Sequence, residues 1–318
     1  MDDSALPHNG DLILLLSPRG KRRLLRVEND GRHDMHSQDG VLPMSRLAAT
    51  PFGGEALSSL GVPFRVQRPT LHDLVMGIKR QTQIMYPKDM GLVCFKLGVG
   101  PGRTILEAGS GSGGFTLALS WFAGSDGHIH SFEAREEFHK LTRRNLAWAG
   151  LGGNVSLHLR DIADGFGLDD PAILGGRRAD ALFLDVRTPW AYLDQALEAL
   201  APGAPLAFLL PTVEQVSRLL LALERGPFEE SEVCEVLVRP WKPVPDRLRP
   251  ADRMNAHTGF LVFSRHQERS PAWDEHLVLG TRERKQQAAR LARLNGRIDP
   301  EQAGSAHPAA RDSLEDGE

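Results

Sequence analysis

Thr104-Ile-Leu-Glu-Ala-Gly-Ser-Gly-Ser-Gly-Gly-Phe-Thr-Leu-Ala118 decides the fold. An apolar run from Thr104 to Ala108 gives way to glycines at 109, 111 and 113, and then to an apolar segment of helical character. The stretch therefore reads as strand, tight loop and helix. Glycines there let the backbone pass close to a ligand at the helix N-terminus with no Cβ in the way. A dinucleotide-binding loop would run G-x-G-x-x-G. Here the third glycine comes one residue early and Glu107 opens the motif.

Working outward, short β-rich runs alternate with helical segments from Arg80 onward, the pattern of a wound parallel sheet. Strands are expected at Thr104–Ala108, His128–Phe132, Val155–Leu159, Ala181–Leu184, Pro205–Leu210, Glu232–Val238 and Gly259–Ser264. Helices are expected at Phe115–Phe122, Glu136–Trp148, Tyr192–Leu200 and Val213–Glu224. These seven strands predict an α/β, Rossmann-like sheet with an appended final hairpin. Three carboxylates sit at strand ends. Glu133 follows Gly111 by 22 residues, close to the spacing of about 20 at which an acidic residue meets the ribose hydroxyls of an adenosine. Asp161 follows the third run, where it either accepts from an adenine amine or caps a turn. Asp185 closes Ala181-Leu-Phe-Leu184. Ligands of open α/β sheets bind outside the carboxyl ends of the strands, so these positions would share one crevice.

Residues 8 to 66 lack sustained helical periodicity and read as a small β-rich module. The expected organisation is a β-rich N-terminal domain over 1–66, a sheet domain over 67–268 with linking helices at 67–100, and a polar tail over 269–318. The module carries Pro18-Arg-Gly-Lys-Arg-Arg-Leu-Leu-Arg26. Its Arg19, Lys21, Arg22, Arg23 and Arg26 are either a charge-protected hairpin edge or a phosphate-contacting strand. The tail holds a basic helical candidate from Arg282 to Leu294 and an acidic end, compatible with RNA contact or with plain solvation.

Of the 318 residues, 41% are hydrophobic and 25% charged, a globular composition that excludes collagen, coiled coil and mucin. The early apolar run Leu12–Leu16 follows three aspartates and is too short for a secretory core or a membrane span. Cys94 and Cys234 lie far apart without a CxxC, which fits a reducing compartment and a cytoplasmic protein. No His, Asp and Glu constellation has metal-ligand spacing, so no metal is expected. The net charge of −3 means that any nucleic acid would be held by local basic patches.

The Glu107 loop is similar to the S-adenosylmethionine loop of class I methyltransferases. Joined with Arg80-Gln-Thr-Gln-Ile-Met-Tyr-Pro-Lys-Asp89, Leu184-Asp-Val-Arg-Thr-Pro-Trp190, Pro211-Thr-Val-Glu-Gln-Val216 and His257-Thr-Gly-Phe-Leu261, it resembles the tRNA (adenine-N1)-methyltransferases. The runs occur in family order, and Arg68-Pro-Thr-Leu71 extends the likeness. The resemblance implies a class I methyltransferase domain that moves methyl from S-adenosyl-L-methionine to N1 of a tRNA T-loop adenosine, usually labelled position 58. It implies a catalytic Asp185 with Tyr86 shaping the pocket. It also implies a cofactor held by Gln83, Glu107, Gly109, Ser110, Gly111, Ser112, Gly113, Glu133, Asp161, Ile162 and Asp185. A homotetramer with a small N-terminal β domain is implied as well. Many members carry a tyrosine just before the proline-threonine turn. This chain has Phe208-Leu-Leu-Pro211 there, which leaves Phe208 or Trp190 either to stack on the base or to serve as core.

Adenine N1 has an in-plane lone pair, so the reaction asks for alignment more than for a strong base. A T-loop adenosine must also be drawn out of its tertiary pairing, and basic groups would contribute to that. Arg247, Arg249 and Arg253 form a second basic candidate beside the N-terminal one. Two other readings use the same fold: a methyltransferase acting on a protein carboxylate or small molecule, and a noncatalytic RNA-binding subunit.

Overall fold

Strands buried on both faces must be apolar throughout, and the runs around Glu107 become the centre of such a sheet. The computed structural model describes residues 5–28, 34–81, 83–268, 270–276 and 289. The first part of the chain is β1 (Leu12–Leu16), β2 (Arg22–Arg26), β3 (Met35–Ser37), β4 (Gly40–Leu42), α1 (Met44–Ala48), β5 (Glu55–Leu57) and β6 (Pro63–Gln67). β2, β1, β6 and β5 form an antiparallel sheet in that order, and β3 with β4 forms a hairpin. Ile13, Leu15, Val27, Leu42, Leu47 and Val66 build its core.

Two helices lead on, α2 (Leu71–Gly77) and α3 (Pro87–Leu97). Thr70 caps α2 in a reciprocal box with Asp73, which satisfies two N-terminal backbone donors. Then follow β7 (Thr104–Ala108), α4 (Gly114–Ala123), β8 (His128–Glu133), α5 (Glu136–Ala149), β9 (Val155–Leu159), β10 (Ala181–Leu184), α6 (Leu193–Ala199), β11 (Pro205–Leu210), α7 (Val213–Leu223) and β12 (Phe228–Cys234). A short hairpin, β13 (Trp241–Lys242) and β14 (Arg249–Pro250), precedes β15 (Phe260–His266), and α8 (Pro271–His276) follows it.

The seven-stranded sheet runs β12-β15-β11-β10-β7-β8-β9. β7 to β11 are parallel to one another, and β15 is antiparallel to both of its neighbours. The last strand is thus inserted between β11 and β12 instead of ending the sheet as an appended hairpin. β12 also starts earlier than its apolar residues suggest, at Phe228. Its first half, Glu229-Glu-Ser-Glu232, is acidic and carries a bulge, with Glu230 at φ 55°.

The N-terminal sheet is tied to the larger one at named points. Arg22 donates to Asp73 of α2 at 2.5 Å, and Arg26 donates to the carbonyls of Gly10 and Trp148. Gly77 lies so close to β2 that a Cβ there would overlap Leu24 Cδ1. The basic helix expected at 282–294 lies outside the described residues, Ala289 apart.

Candidate active site

Register brings the C-terminal ends of four strands side by side: Ala108 lies opposite Phe132 and Leu184, and Glu133 opposite Leu159. The glycine loop turns away just above them. Gly109 has φ +90°, and a Cβ there would collide with the carbonyl oxygen of Asp185. Only glycine permits that approach, which fixes the Asp185 backbone against the loop. Gly113, at φ +79°, N-caps α4, and a Cβ there would press on Thr142 at 2.9 Å.

Two cavities, of about 190 and 380 Å³, adjoin at this point and share Gly109, Arg135 and Asp185. Gln83, Glu107, Ser110, Gly111 and Ser112 line the first, and Glu133, Asp161, Ile162, Arg187 and Tyr192 the second. Sequence reasoning did not single out Arg135, Arg187 or Tyr192 for this cleft. Arg135 follows Glu133 by two residues, and that proximity was its available signal. Tyr86, N-cap of α3 and half-buried, borders neither cavity, although its neighbour Met85 lines the first.

Three carboxylates set the electrostatics. Glu107 is buried and accepts from Thr116 and Ser131, each at 2.6 Å. Burial pushes its pKa to about 7 despite those hydrogen bonds, and the charges of Asp185 and Glu133 add to the rise. Asp185 opens onto the cleft, where water reaches it, but the crowded walls withhold much of the solvation a free carboxylate enjoys. That desolvation, with the Glu133 charge, raises its pKa to about 6. Glu133 accepts from Gly111 N–H at 3.1 Å through one oxygen and from Arg135 through the other. Asp161 accepts from Ala163 N–H at 2.9 Å and caps a short turn. The cleft thus offers glycine-loop backbone at one end and an excess of carboxylate along its length. That donor set fits an elongated ligand with a cationic centre and hydroxyls, which is the chemistry of S-adenosylmethionine.

The remaining sequence runs interlock around the cleft. Lys88 contacts both oxygens of Asp89, at 2.9 and 3.1 Å, and also bonds the Val236 carbonyl and the Thr258 hydroxyl. Thr258 donates to Asp89 at 2.7 Å, and Asp89 is only 1% exposed. Tyr86-Pro-Lys-Asp89 and His257-Thr-Gly-Phe260 are therefore two halves of one buried clamp. His257 bonds Glu235 at 2.6 Å, which raises its pKa, and its other ring nitrogen lies 3.3 Å from the Pro211 carbonyl. Gln215, held by the Thr212 cap, donates to the Arg187 carbonyl at 3.0 Å and steadies the loop after Asp185. Phe208 is fully buried between sheet and helices and belongs to the core, away from the cleft. Trp190 is half-buried against the same core, with Arg218 6.0 Å from its ring centroid.

The N-terminal cations are largely engaged within the chain. Arg19 pairs with Asp39 at 3.3 Å, and Arg23 donates to the His36 carbonyl. Arg22 and Arg26 make the tethers described above. Lys21 reaches Gln38 in one amide orientation of that residue. Arg247, Arg249 and Arg253 are exposed on and beside the β13–β14 hairpin.

A family model described as "tRNA methyltransferase complex GCD14 subunit" matches residues 66–252. The chain is 34% identical over 252 residues to tRNA (adenine(58)-N(1))-methyltransferase TrmI of Thermus thermophilus, spanning 79% of this chain and 96% of that protein. It is 29% identical over 272 residues to tRNA (adenine(57)-N(1)/adenine(58)-N(1))-methyltransferase TrmI of Methanocaldococcus jannaschii, spanning 79% and 94%. Among solved structures, tRNA (m1A58) methyltransferase TrmI from Aquifex aeolicus superposes with a TM-score of 0.69 at 35% identity, over 83% of this chain and 100% of that one. A protein titled SAM-dependent O-methyltransferase from Thermotoga maritima superposes with a TM-score of 0.76 at 38% identity, over 84% and 96%.

Proposed function

The chain belongs to the tRNA (adenine-N1)-methyltransferase family, and from that membership we propose its reaction: methyl passes from S-adenosylmethionine to N1 of adenosine 58 in tRNA. Bound in the cleft, the cofactor supplies an electrophilic methyl on a cationic sulfur. Gln83 and the 109–113 loop hold one end of it. Glu133, Asp161 and Ile162 hold the adenosine end, where ribose hydroxyls would take over the Glu133 oxygen that Arg135 now occupies. Glu107 stiffens the loop from beneath through Thr116 and Ser131.

Asp185 stands where the two cavities meet, and that observation carries the mechanism. Its carboxylate would accept from the N6 amine of the target adenine and so turn N1 toward the methyl. As N1 is alkylated the base becomes cationic. A carboxylate about 4 Å away is worth up to roughly 4 kcal/mol at an effective dielectric near 20. Tyr86, at the N-cap of α3, would border the base from the side of Met85.

Purified protein incubated with unmodified tRNA transcript and labelled S-adenosylmethionine tests this reading, with Asp185→Ala run alongside. The expected result is 1-methyladenosine at position 58 from the wild type and almost none from the variant. The name of the Thermotoga neighbour supplies the second reading, methyl transfer to an oxygen. Label found only in a small-molecule or protein acceptor would favour it.

A cytoplasmic homotetramer completes the proposal. A tRNA substrate supports the location. Leu237, Val238, Trp241, Val244 and Leu248, all exposed between β12 and β15, offer an apolar surface for a second copy. Arg247, Arg249 and Arg253 on the same segment, and Arg19 and Lys21 on the N-terminal sheet, are the proposed tRNA contacts among the cations singled out in the sequence. Arg22, Arg23 and Arg26 would reach RNA only beside their intramolecular bonds.

A further inference from the structure

A cavity larger than either half of the cofactor cleft lies elsewhere in the molecule. It is a groove of about 630 Å³ along the seam between the N-terminal sheet and α2 and α5. Its floor is apolar, with Leu24, Met76 and Trp148, while Lys79 and Arg144 stand on its walls. Arg22 also lines it, but its charge is matched by Asp73 at 2.5 Å. Both Asp73 oxygens are already in use, one by Arg22 and the other by the Thr70 hydroxyl and N–H. Among the described residues, Lys79 and Arg144 face no carboxylate, and the adjacent Arg143 on α5 is likewise exposed and unpaired. In a chain with a net charge of −3, such a run of unopposed cations is a local reversal of sign.

The groove is also joined to the cofactor loop. Asn145, the residue after Arg144, accepts from Lys79 N–H at 3.1 Å and donates to the Lys79 carbonyl at 2.9 Å. It donates further to the Ser112 carbonyl at 2.8 Å. Whatever sits on Lys79 and Arg144 therefore touches the same framework that shapes the glycine loop.

We propose that this seam groove, through Lys79 and Arg144 on its walls and the exposed Arg143 beside it, is a phosphate-backbone track for the tRNA. The inference rests on the tRNA methyltransferase reading above and adds a surface beyond the tRNA contacts named there. Unopposed cations around a concave wall suit phosphodiesters, whose binding releases counterions and depends steeply on salt. The part-exposed ring of Trp148 gives an unpaired base somewhere to rest.

The test uses the full chain and fluorescent unmodified tRNA transcript, with affinity measured across a potassium chloride series. Lys79→Ala/Arg144→Ala should weaken tRNA binding about tenfold or more near 0.1 M salt and flatten the log–log salt slope by about two. Lys79→Arg/Arg144→Lys should keep both near wild type. S-adenosylmethionine affinity by calorimetry should stay within about twofold, since neither side chain lines the cofactor cleft. An unchanged affinity and slope in the alanine variant would overturn the proposal. So would an unchanged slope with an altered sedimentation coefficient, which would make the groove a contact between subunits. If the wild type itself neither binds nor methylates tRNA, the enzyme reading fails first and the groove assignment fails with it.

Discussion

Asp185 ionises later than a free aspartate because the cleft strips its solvation and Glu133 adds a like charge. Only the ionised form can stabilise a cationic product, so catalysis should fall as the pH drops through about 6. Single-turnover rates measured between pH 5 and 8 check this. Asp185→Asn should lower kcat by about three decades and abolish that limb. A variant retaining the limb would remove Asp185 from the role. The position of Asp185 was legible because a carboxylate ends an apolar run. Its contact with Gly109 was not, since a sequence does not show which loop a strand end will meet. Arg22 and Arg26 illustrate the opposite error of scale: alternating cations look alike whether they face phosphate or a carbonyl of the same chain.

At the scale of elements, the clamp between α3 and the start of β15 holds its charge away from water. Lys88→Met would leave Asp89 buried without its cation, at a cost of about 3–5 kcal/mol. Lys88→Met/Asp89→Leu should cost less than Lys88→Met alone, as read from urea denaturation. A double variant less stable than the single one would mean that packing, not charge, governs the site. The two motifs were each visible in sequence, 170 residues apart at Lys88 and Thr258, but their union depends on β15 lying beside β11. β12 was misread for a related reason. Leu237 and Val238 look like strand, yet they are exposed beyond its end, while the acidic Glu229–Glu232 segment pairs at the edge. An edge strand tolerates charge that a central strand would reject. The central strands, mostly apolar, were legible almost to the residue.

Across the whole molecule two sets of desolvated groups oppose each other with pH. Glu107 and Asp185 hold protons in the folded state that the unfolded chain has released, so their contribution is present at low pH and lost as the pH rises through about 6 to 7. On β8 and β9, His128, His130 and His158 form a ring column, with His130 Nδ1 3.1 Å from His158 Nε2. Burial and neighbouring histidines depress the pKa of His130 to about 4. Its contribution is intact above about 6.5 and is lost as the pH falls toward 4. Both sets act over the same interval, from about pH 4 to 7, with opposite signs, so the thermal midpoint of the cofactor-free protein should change little across it. Scanning calorimetry should show the midpoint of Glu107→Gln rising with pH over that interval and that of His130→Leu falling. Variants that track the wild type from about pH 4 to 7 would contradict the assignment.

The insertion of β15 between β11 and β12 carries a consequence for synthesis. The ribosome delivers β12 well before β15, the one strand it pairs with among the described residues, and β11 meanwhile presents an open edge. Every nascent chain thus passes through an interval in which a nearly complete sheet holds one bare margin and one strand adrift, the condition under which neighbouring chains pair wrongly. A stop codon between Cys234 and Phe260 would make that interval permanent. Such a product should precipitate or be degraded, although its entire glycine loop and Asp185 have already been made.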